Sequence, residues 1–517
     1  MKLNYKRTLC VGFAFFLISM FWQAYDSIIP KILTDKFGMA QADSGIVMAL
    51  DNVLALFMLP LFGALSDKCR SRFGRRTPFI VVGAVLASIF LLVLTVADGL
   101  QLKNIAAVRD LDTPEALTTL YDYDYDAALM TPSGEKYVLS DSADEGVIAI
   151  SREQFLGMKM QVEVDGKTVT NPDYVNYVTP ARQAYAHAVT QKSPEALILF
   201  IAVLLLLLIS MATFRSPAVA LMPDVTVKPL RSKGNAVINL MGSAGGILIL
   251  ALGIVFGTGS AKNALMGYGV FFGLVAALMI AALVLFLITV REPRFVREMH
   301  ETSRKYGFET EEDDETKDAG SRKLSRGEMR SMIFILLSIV LWFAGYNAAT
   351  SKYSVYADKV LSRDYNMTLI IAQAAAIVSY LPVGIIASKV GRKKCILAGV
   401  VMLTTAFLCA SFLRQNASML AINALFVLAG VGWATINVNS FPMVVEMCRG
   451  GDVGRFTGYY YTASMAAQTL TPYFSGLLMD KFGLTALFPY STVFVGLAFV
   501  TMLFVRHGDS KPQKKAA

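Results

Sequence analysis

The chain has 517 residues, of which 55% are hydrophobic and only 17% are charged, and its formal net charge is +9. A soluble globular protein carries about a quarter charged residues, so this composition indicates a membrane protein instead. The positive charge does not indicate nucleic-acid binding, because the basic residues lie in short clusters between apolar runs. Five scattered cysteines and three histidines provide neither a disulfide framework nor a metal site, and no cofactor is expected.

Runs of about 20 apolar residues are long enough to cross a bilayer as helices. Twelve such runs lie near residues 8–30, 43–66, 78–97, 195–222, 234–257, 267–290, 330–352, 366–388, 394–413, 417–445, 456–478 and 484–505. The first run lacks a small-residue cleavage site, so we interpret it as an uncleaved span and not as a signal peptide. The sequence therefore predicts an all-α membrane protein with twelve transmembrane helices.

Basic residues concentrate in alternate connections between these spans. One set of connections holds clusters such as 68–76, 228–233 and 389–394, whereas the other set holds only isolated basic residues. By the positive-inside rule, the first set and both termini should lie in the cytoplasm. We expect a monomeric, multi-pass protein of the cell membrane, surrounded by the lipid bilayer.

Two long segments are not membrane spans. Residues 98–193 lie on the outer side and contain strand-like pieces, a hairpin signal with Asp165-Gly166 at its turn, and a helical stretch. They predict a small extracytoplasmic α+β insertion. Residues 292–328 are charged and poor in apolar groups, so they predict a flexible cytoplasmic linker.

The chain also contains an internal repeat. Gly63 recurs as Gly384, and Asp224 recurs as Glu446. The larger offset of the first pair is explained almost entirely by the outer insertion. We therefore divide the chain into a first half (1–97 and 194–291), the insertion (98–193), the linker (292–328), a second half (329–507) and a cytoplasmic tail (508–517). Two parallel six-helix halves are typical of major-facilitator transporters, which bind substrate near the midplane between the halves.

Two motifs resemble a more specific family. GxxSDxxxSRFGRRxPFI, from Gly63 to Ile80, resembles the loop motif of the glycoside–pentoside–hexuronide:cation symporters, especially the sucrose–proton symporter branch. The generic superfamily motif, GxLxDRxGRR, has a loop four residues shorter. PAVALMPD, ending at Asp224, is similar to that branch's PxRALxAD, but its arginine falls on Val219 here, and Arg215 lies one helical turn earlier. The resemblance implies symport of a sugar or glycoside with a cation, a proton rather than sodium, and leaves the sugar open.

The loop motif also predicts a cytoplasmic gate. A carboxylate at a helix end, beside arginines and facing the other half, can hold the inside closed until the halves rock. The alternative is that these charges only fix topology at the lipid headgroups. The expected gate residues are Gly63, Asp67, Arg72, Gly74, Arg75, Arg76, Asp224, Arg231, Glu446 and Arg455. We expect Asp224 to pair with Arg231. Likewise, Glu446 should pair with Arg455, and Ser388 in place of an aspartate predicts a weaker contact in the second half.

Two carboxylates within the spans are candidates for cation coupling. Ionisable residues inside a membrane are costly and are functional hypotheses by default. Asp51 lies about 24 Å from Asp67 at 1.5 Å per residue, in the outer half of the second span. Burial there would let it exchange a proton as access alternates. Asp26, near the outer end of the first span, is the second candidate. The alternative for either is a structural hydrogen bond to a neighbouring helix.

The expected substrate site combines a guanidinium, amides and aromatic rings. Arg215 lies roughly 13 Å inside Asp224, where its planar fork could bind sugar hydroxyls or a coupling carboxylate. The alternative is an arginine that snorkels to the cytoplasmic interface. In the superfamily that the chain resembles, spans one, four, seven and ten line the cavity. The candidates on these spans are Arg215, Asn347, Tyr346, Asn437, Asn439, Tyr25 and Trp22, each of which could also serve helix packing.

Three other functions compete with sugar symport. An exporter of drugs or metabolites shares the fold, but exporters usually have the shorter loop motif and an apolar cavity. A non-transporting nutrient sensor would use the outer insertion as its receptor, although the linker contains no signalling domain. An enzyme is not expected, because the sequence contains no nucleophile–base set, metal motif or phosphate-binding loop.

Overall fold

The computed structural model describes residues 3–39, 41–110, 112–131, 135–164, 167–171, 173–258, 261–307, 324–359, 365–413, 417–448, 452–482 and 484–509. Most of these residues are helical. The helices in chain order are α1 (Tyr5–Lys31), α2 (Gln41–Lys68), α3 (Thr77–Asn104), α4 (Pro114–Tyr121), α5 (Arg152–Leu156), α6 (Thr179–Lys192), α7 (Glu195–Val225), α8 (Arg231–Phe256), α9 (Gly269–Thr289), α10 (Glu292–Lys305), α11 (Arg326–Lys359), α12 (Tyr365–Val390), α13 (Arg392–Ala410), α14 (Met419–Glu446), α15 (Val453–Phe482) and α16 (Leu487–Leu503).

Within the described ranges, nine helical stretches are long and apolar enough to cross a membrane. Two shorter apolar helices, Ala374–Val390 and Leu487–Leu503, accompany them. Lipid offers no hydrogen-bond partner, so a spanning segment must satisfy its own backbone, as a helix does. The chain is a multi-pass helical membrane protein.

The long helices form two groups with the same packing pattern. In the first half (α1–α3 and α7–α9), α1 packs on α8 and α9, and α3 packs on α7 and α9. In the second half (α11–α16), α11 packs on α15 and α16, and α13 packs on α14 and α16. Between the halves, α2 packs on α15 and α8 packs on α12. This arrangement creates a central interface to which both halves contribute side chains.

A small insertion with its own core lies between α3 and α7. Besides α4–α6, it contains β1 (Leu129–Met130), β2 (Lys136–Val138), β3 (Ile148–Ala149), β4 (Gln161–Val164) and β5 (Lys167–Thr170). β2 pairs antiparallel with β1 and parallel with β3, and β4 pairs antiparallel with β5. The predicted turn residues Asp165 and Gly166 lie outside the described residues. Tyr137, Phe155 and Tyr174 belong to a core separate from that of the membrane helices.

The third helix is longer than the predicted apolar run 78–97. α3 continues to Asn104, because two polar residues beyond the apolar run are buried on one helix face. Asp98 forms an ion pair with Lys36 at 2.5 Å. Gln101, one turn later, donates from its amide to the Lys36 carbonyl at 2.8 Å. The end of α3 therefore packs on the helical bundle through Asp98 and Gln101 and on the insertion through Leu102, which belongs to the core of the insertion.

The same residues also join the insertion to the segment that follows α1. Thr190 of α6 accepts a hydrogen bond from Gln101 at 2.9 Å, and the Lys36 ammonium lies 4.4 Å from the centre of the Tyr268 ring. Gly38 has a φ of +65°, and a Cβ there would collide with the backbone of α6. Lys36 and Asp98 are both buried. The insertion is therefore packed against the first half and is not tethered only by its ends.

The segment 292–328 is not flexible throughout, because its first part forms α10. Arg7 at the start of α1 contacts two side chains of α10. Its guanidinium forms an ion pair with Glu298 at 3.1 Å and lies 4.1 Å over the ring of Phe295. Residues 308–323, which include the acidic run of this segment, lie outside the described residues.

Candidate functional site

Arg215 lies between two aromatic rings at the interface of the halves. Its guanidinium carbon is 5.0 Å from the centre of the Trp22 ring on α1 and 5.0 Å from that of Tyr461 on α15. A guanidinium over a desolvated ring gains about 2 kcal/mol. Trp22, Asp51 and Arg215 also line one cavity. The structure therefore does not support the snorkelling alternative for Arg215.

Both candidate coupling carboxylates lie near this arginine. Asp51 and Asp26 each interact electrostatically with Arg215, and Asp26 also interacts with Asp51. One oxygen of Asp51 accepts a hydrogen bond from the backbone N–H of Asn52 at 2.6 Å, while the side chain of Asp26 is exposed. Two carboxylates and one guanidinium from three helices therefore share one electrostatic cluster.

The aromatic residues of α1 extend this cluster. Tyr25 is buried and lies 5.4 Å from the Trp22 ring in an edge-to-face arrangement. Within the described residues, the indole N–H of Trp22 and the hydroxyl of Tyr25 are buried without a hydrogen-bond partner. Buried polar groups are normally paired. The unpaired indole N–H of Trp22, which lines the cavity, is therefore available to a ligand.

A second cluster of candidates lies in the second half. Tyr346 on α11 stacks on Trp433 of α14 with ring centres 3.7 Å apart and an interplanar angle of 3°. The side chains of Tyr380 and Asn437 interact as well. Among the described residues, the amide nitrogen of Asn347 has no hydrogen-bond partner. Rings and amides thus lie together here, whereas rings and carboxylates surround Arg215.

Asn439 differs from the other substrate candidates. It is fully buried, and its amide donates to the carbonyl of Thr435, one turn earlier on α14, at 2.8 Å. A side chain that bonds its own helix in this way serves packing. Its amide oxygen has no hydrogen-bond partner among the described residues, so the role of Asn439 in substrate binding stays a prediction.

A second charged cluster surrounds Arg76 at the opposite end of the first half. Arg76 is fully buried. Its guanidinium forms ion pairs with Asp67 at 2.5 Å and Asp224 at 2.7 Å, and it donates to the Ser66 hydroxyl at 2.5 Å. Burial alone would lower the pKa of Arg76, but Asp224 and Asp67 raise it, so the guanidinium stays charged. The expected pairing of Asp224 with Arg231 is wrong, because Arg76 takes this position.

Asp67 joins this cluster to the second half. Its two oxygens accept hydrogen bonds from the backbone N–H groups of Gly454 and Arg455, each at 2.8 Å, at the start of α15. A carboxylate at a helix N-terminus is favoured by the helix dipole. A Cβ on Gly63 would collide with the carbonyl of Gly454, so glycine is required for this close approach. The two halves are thus closed against each other here.

The equivalent cluster in the second half also reaches across the interface. Arg392 bonds Glu446 at 2.9 Å and the Ser232 hydroxyl of the first half at 3.0 Å. Arg231 of the first half pairs with Glu446 at 3.5 Å. The expected pairing of Glu446 with Arg455 is therefore wrong. Ser388 bonds the carbonyl of Ile385 on its own helix, and arginines provide the cross-half contacts instead.

Two predicted gate residues lie outside these clusters. Arg72 is exposed and stacks on Phe73, with its guanidinium carbon 4.8 Å from the ring centre. The side chain of Arg75 is exposed as well. Its backbone N–H donates to Glu292 at 2.6 Å. Only the backbone of Arg75 therefore takes part in the packing.

Glu292 is a residue that sequence reasoning missed. Its carboxylate is buried and accepts hydrogen bonds from the N–H groups of Arg75, Arg76 and Thr77 at the start of α3. Asp509 has the same role at α13, where it accepts from the N–H of Arg392 at 2.7 Å. Each carboxylate follows the last long helix of its half. Both lie in segments that the sequence analysis assigns to a charged linker or tail, so neither was expected to cap a membrane helix.

Trp433 and Tyr461 were also missed, although a signal was present. Trp433 lies one helical turn before Asn437 on α14, and Tyr461 ends the run Tyr459-Tyr460-Tyr461. In the described part of the chain, no group of three or more histidine, cysteine, aspartate or glutamate side chains is arranged to hold a metal ion.

Comparison with known proteins agrees with this architecture. The family model of the Major Facilitator Superfamily matches residues 11–108 and 359–517, about half of the chain on both sides of its centre. The proton:xylose symporter XylE superimposes with a TM-score of 0.59 over 98% of this chain and 96% of XylE, at 15% identity. The chain belongs to the major facilitator superfamily. FucP, another transporter of this superfamily, solved in its outward conformation, gives a TM-score of 0.59 over 97% of this chain and 98% of FucP, at 10% identity.

Curated relatives match over short segments. The sucrose transport protein SUC4 of Arabidopsis thaliana is 41% identical over 59 residues, which are 11% of this chain and 12% of that protein. The proton-associated sugar transporter A of Homo sapiens is 32% identical over 82 residues, which are 16% of this chain and 11% of that protein. The matched segments thus span only about an eighth of these relatives.

Proposed function

We propose that this protein is a secondary active transporter that carries a sugar or glycoside by alternating access in symport with a cation, the proton. The twelve long helices outside the insertion and α10 would all cross the membrane. The positive-inside rule would place both termini and the Arg76 cluster on the cytoplasmic side of the cell membrane. The short matches to sugar transporters and the fold shared with a proton:xylose symporter support this assignment.

The observation that carries the proposal is the position of Arg215. Its guanidinium lies between rings from both halves and beside the carboxylates of Asp51 and Asp26. A sugar presents CH faces that stack on rings and hydroxyls that need directional partners, and Arg215 with Trp22 and Tyr25 supplies both. Protonation of a carboxylate beside Arg215 would change how firmly the carboxylate holds the guanidinium. Substrate binding and proton binding would thereby be coupled.

The gate would be formed by the contacts of Asp67, Arg231 and Arg392 across the halves. Their release would let the halves rock and open the cavity to the cytoplasm. In this structure these contacts are closed.

Counterflow tests the proposal directly. The purified protein is reconstituted into vesicles, and uptake of radiolabelled mono- and disaccharides against an unlabelled internal pool is measured at two pH values. We expect counterflow of at least one sugar, with uphill accumulation only when a pH gradient is imposed. If no sugar in the panel exchanges, sugar transport is wrong, and an exporter function becomes the better explanation.

Asp51 is tested in the same vesicles. Asp51→Asn should keep sugar exchange, which needs no net proton movement, and should lose accumulation driven by the pH gradient. Asp26→Asn is the matched variant. Full accumulation by the Asp51 variant, together with its loss in the Asp26 variant, would transfer the coupling role to Asp26.

A further inference from the structure

The connection between α2 and α3 is longer than joining two helices requires. In the second half, Gly391 alone separates α12 from α13, whereas residues 69–76 separate α2 from α3. Gly391 and Gly74 occupy equivalent positions, with φ values of +105° and +110°, each against a capping carboxylate. The residues before Gly74 are therefore not needed to join the helices.

These extra residues form a tight turn with Arg72 and Phe73 at its tip. The Ser71 carbonyl accepts from the N–H of Gly74 at 3.1 Å, and the Ser71 hydroxyl accepts from the N–H of Phe73 at 3.2 Å. The residues that follow the turn are fixed in place, because the N–H of Arg75 donates to Glu292 and the side chain of Arg76 is buried. The turn is thus a fixed support for the two side chains at its tip.

The tip presents an aromatic ring surrounded by positive charge. Phe73 is 58% exposed. Lys68, Arg72 and Arg75 are exposed around it, and in the described part of the chain their side chains form no ion pair. By contrast, Arg7 is paired with Glu298, and Arg76 with Asp67 and Asp224. The tip follows directly after α2 and precedes the first turn of α3, so it lies at the end of two membrane helices.

We propose that the surface formed by Lys68, Arg72, Phe73 and Arg75, the tip surface, binds the headgroups of anionic phospholipids. The ring of Phe73 would bury apolar surface at the boundary between headgroups and acyl chains, as Trp and Phe do on basic interfacial segments, and the cations would contact lipid phosphates. Each cation near an anionic membrane adds about fivefold to binding, the equivalent of about 1 kcal/mol. A cytosolic protein partner is the competing occupant, but the position of the tip surface beside two membrane helices favours lipid.

Lipid binding at this surface would favour the closed contacts of Asp67. The turn is connected through Arg76 to Asp67 and Asp224. Holding the turn at the membrane would restrict its movement away from the second half. This consequence rests on the proposed alternating-access function, whereas lipid binding itself does not.

Binding is measured on the purified full chain in nanodiscs that contain phosphatidylcholine and phosphatidylglycerol. Native mass spectrometry then counts the lipids that stay bound. We expect the protein to retain phosphatidylglycerol preferentially, and the double variant Arg72→Gln/Phe73→Ala to lose this preference by about fivefold or more. Added salt should weaken the preference of the unaltered protein, because exposed charges are screened.

The matched control is Arg297→Gln/Tyr306→Ala on α10, which removes an exposed cation and an exposed ring from the same face. It should keep the preference. Equal retention of the two lipids by the unaltered protein would overturn the proposal, as would an equal loss in both double variants. Inorganic phosphate should not displace the lipid at equal phosphate concentration, and if it does, the surface is an anion site and not a lipid site. Because no transport is measured, failure here is distinct from failure of the proposed function.

Discussion

Buried charged residues hold the junctions of this molecule. Arg76 and Arg392 are buried on one face and Lys36 on the other, and each is surrounded by carboxylates, hydroxyls or carbonyl groups. A buried ion pair is weak support for stability, but the loss of one partner leaves an uncompensated charge. Variants of single partners should therefore have large effects. Arg215 differs, because rings and not carboxylates contact its guanidinium directly.

Arg215 should be sensitive even to a conservative change. Arg215→Gln should weaken sugar binding by about 1.5–3 kcal/mol if the guanidinium bonds the substrate. Arg215→Lys should restore little, because an ammonium cannot replace a planar fork that stacks between two rings. Affinity is measured as the half-saturation concentration for exchange. Tyr461→Phe, which keeps the ring, should retain affinity, and unchanged affinity in both Arg215 variants would contradict a substrate role.

The Lys36–Asp98 pair should behave as one unit. Asp98→Asn or Lys36→Met alone should lower stability by about 3–5 kcal/mol, because each leaves a buried charge unpaired. The double variant Lys36→Met/Asp98→Leu should recover most of this loss. Thermal unfolding in detergent measures the effect. Additive losses in the double variant would show that the two residues act independently.

At the scale of elements, short segments outside the membrane helices determine how those helices begin. Glu292 at the start of α10 caps α3, and Asp509 after α16 caps α13. A glycine of positive φ lies just before each of these two capped helices, because a Cβ at that position would collide with the capping carboxylate. Likewise, α6 packs against Gly38 in the segment between α1 and α2. The segments that the sequence separates as linker, tail and insertion thus belong to the packing of the halves.

Deletion of the insertion should depend on where the cuts are placed. Replacing residues 98–193 by a Gly/Ser link removes Asp98 and leaves the Lys36 ammonium buried and unpaired. This deletion should reduce the yield of folded protein. Replacing only residues 110–177 keeps Asp98, Gln101 and α6, and this variant should insert and exchange sugar.

Size-exclusion chromatography and counterflow compare the two deletions. Lys36→Met in the longer deletion provides the control, because it removes the unpaired charge and should restore part of the yield. If the shorter deletion folds but does not transport, the insertion takes part in translocation. Equal yields from both deletions would show that the Lys36–Asp98 junction is not needed.

At the scale of the whole molecule, the two halves repeat a packing pattern but close through different contacts. Asp67 of the first half accepts N–H groups of α15. At the equivalent place in the second half, Ser388 faces its own helix, and Arg392 and Arg231 make the contacts. Closure is therefore asymmetric. The Asp67 side should respond most to the loss of a single negative charge.

The reactivity of a natural cysteine can show whether the two halves separate at the Asp67 contact. Cys448 is buried beside the Asp67 cluster, and burial raises the pKa of its thiol, so it should react slowly with maleimide while the halves are closed. Asp67→Asn should increase the labelling rate severalfold. The measurement uses a background in which the other four cysteines are serine. Glu301→Gln, at an exposed carboxylate of α10, is the control for loss of one negative charge, and equal rates in Asp67→Asn and the unaltered protein would contradict the gate.

Much of the architecture follows from local sequence. Whether a segment enters a membrane depends on its own apolar composition, so the apolar runs predicted the long helices that the structure describes. The spacing of Asp67, Gly74 and Arg76 located a charged cluster, because helix ends and a glycine turn are local features. The hairpin of the insertion was predicted for the same reason. Arg215, Asp51 and Trp22 were found because polar and aromatic residues in a span are conspicuous.

The choice of partners was decided only by the tertiary structure. Asp224 is close in sequence to Arg231 but binds Arg76, and Arg231 binds Glu446 in the other half. Sequence proximity favoured the wrong pairs, because several carboxylates and arginines lie at helix ends on the same face. Which of them meet depends on the angles at which α2, α7 and α15 pack. The same reason applies to Tyr461 at Arg215 and to Asp98 at Lys36, where residues from distant helices meet only after the helices have assembled.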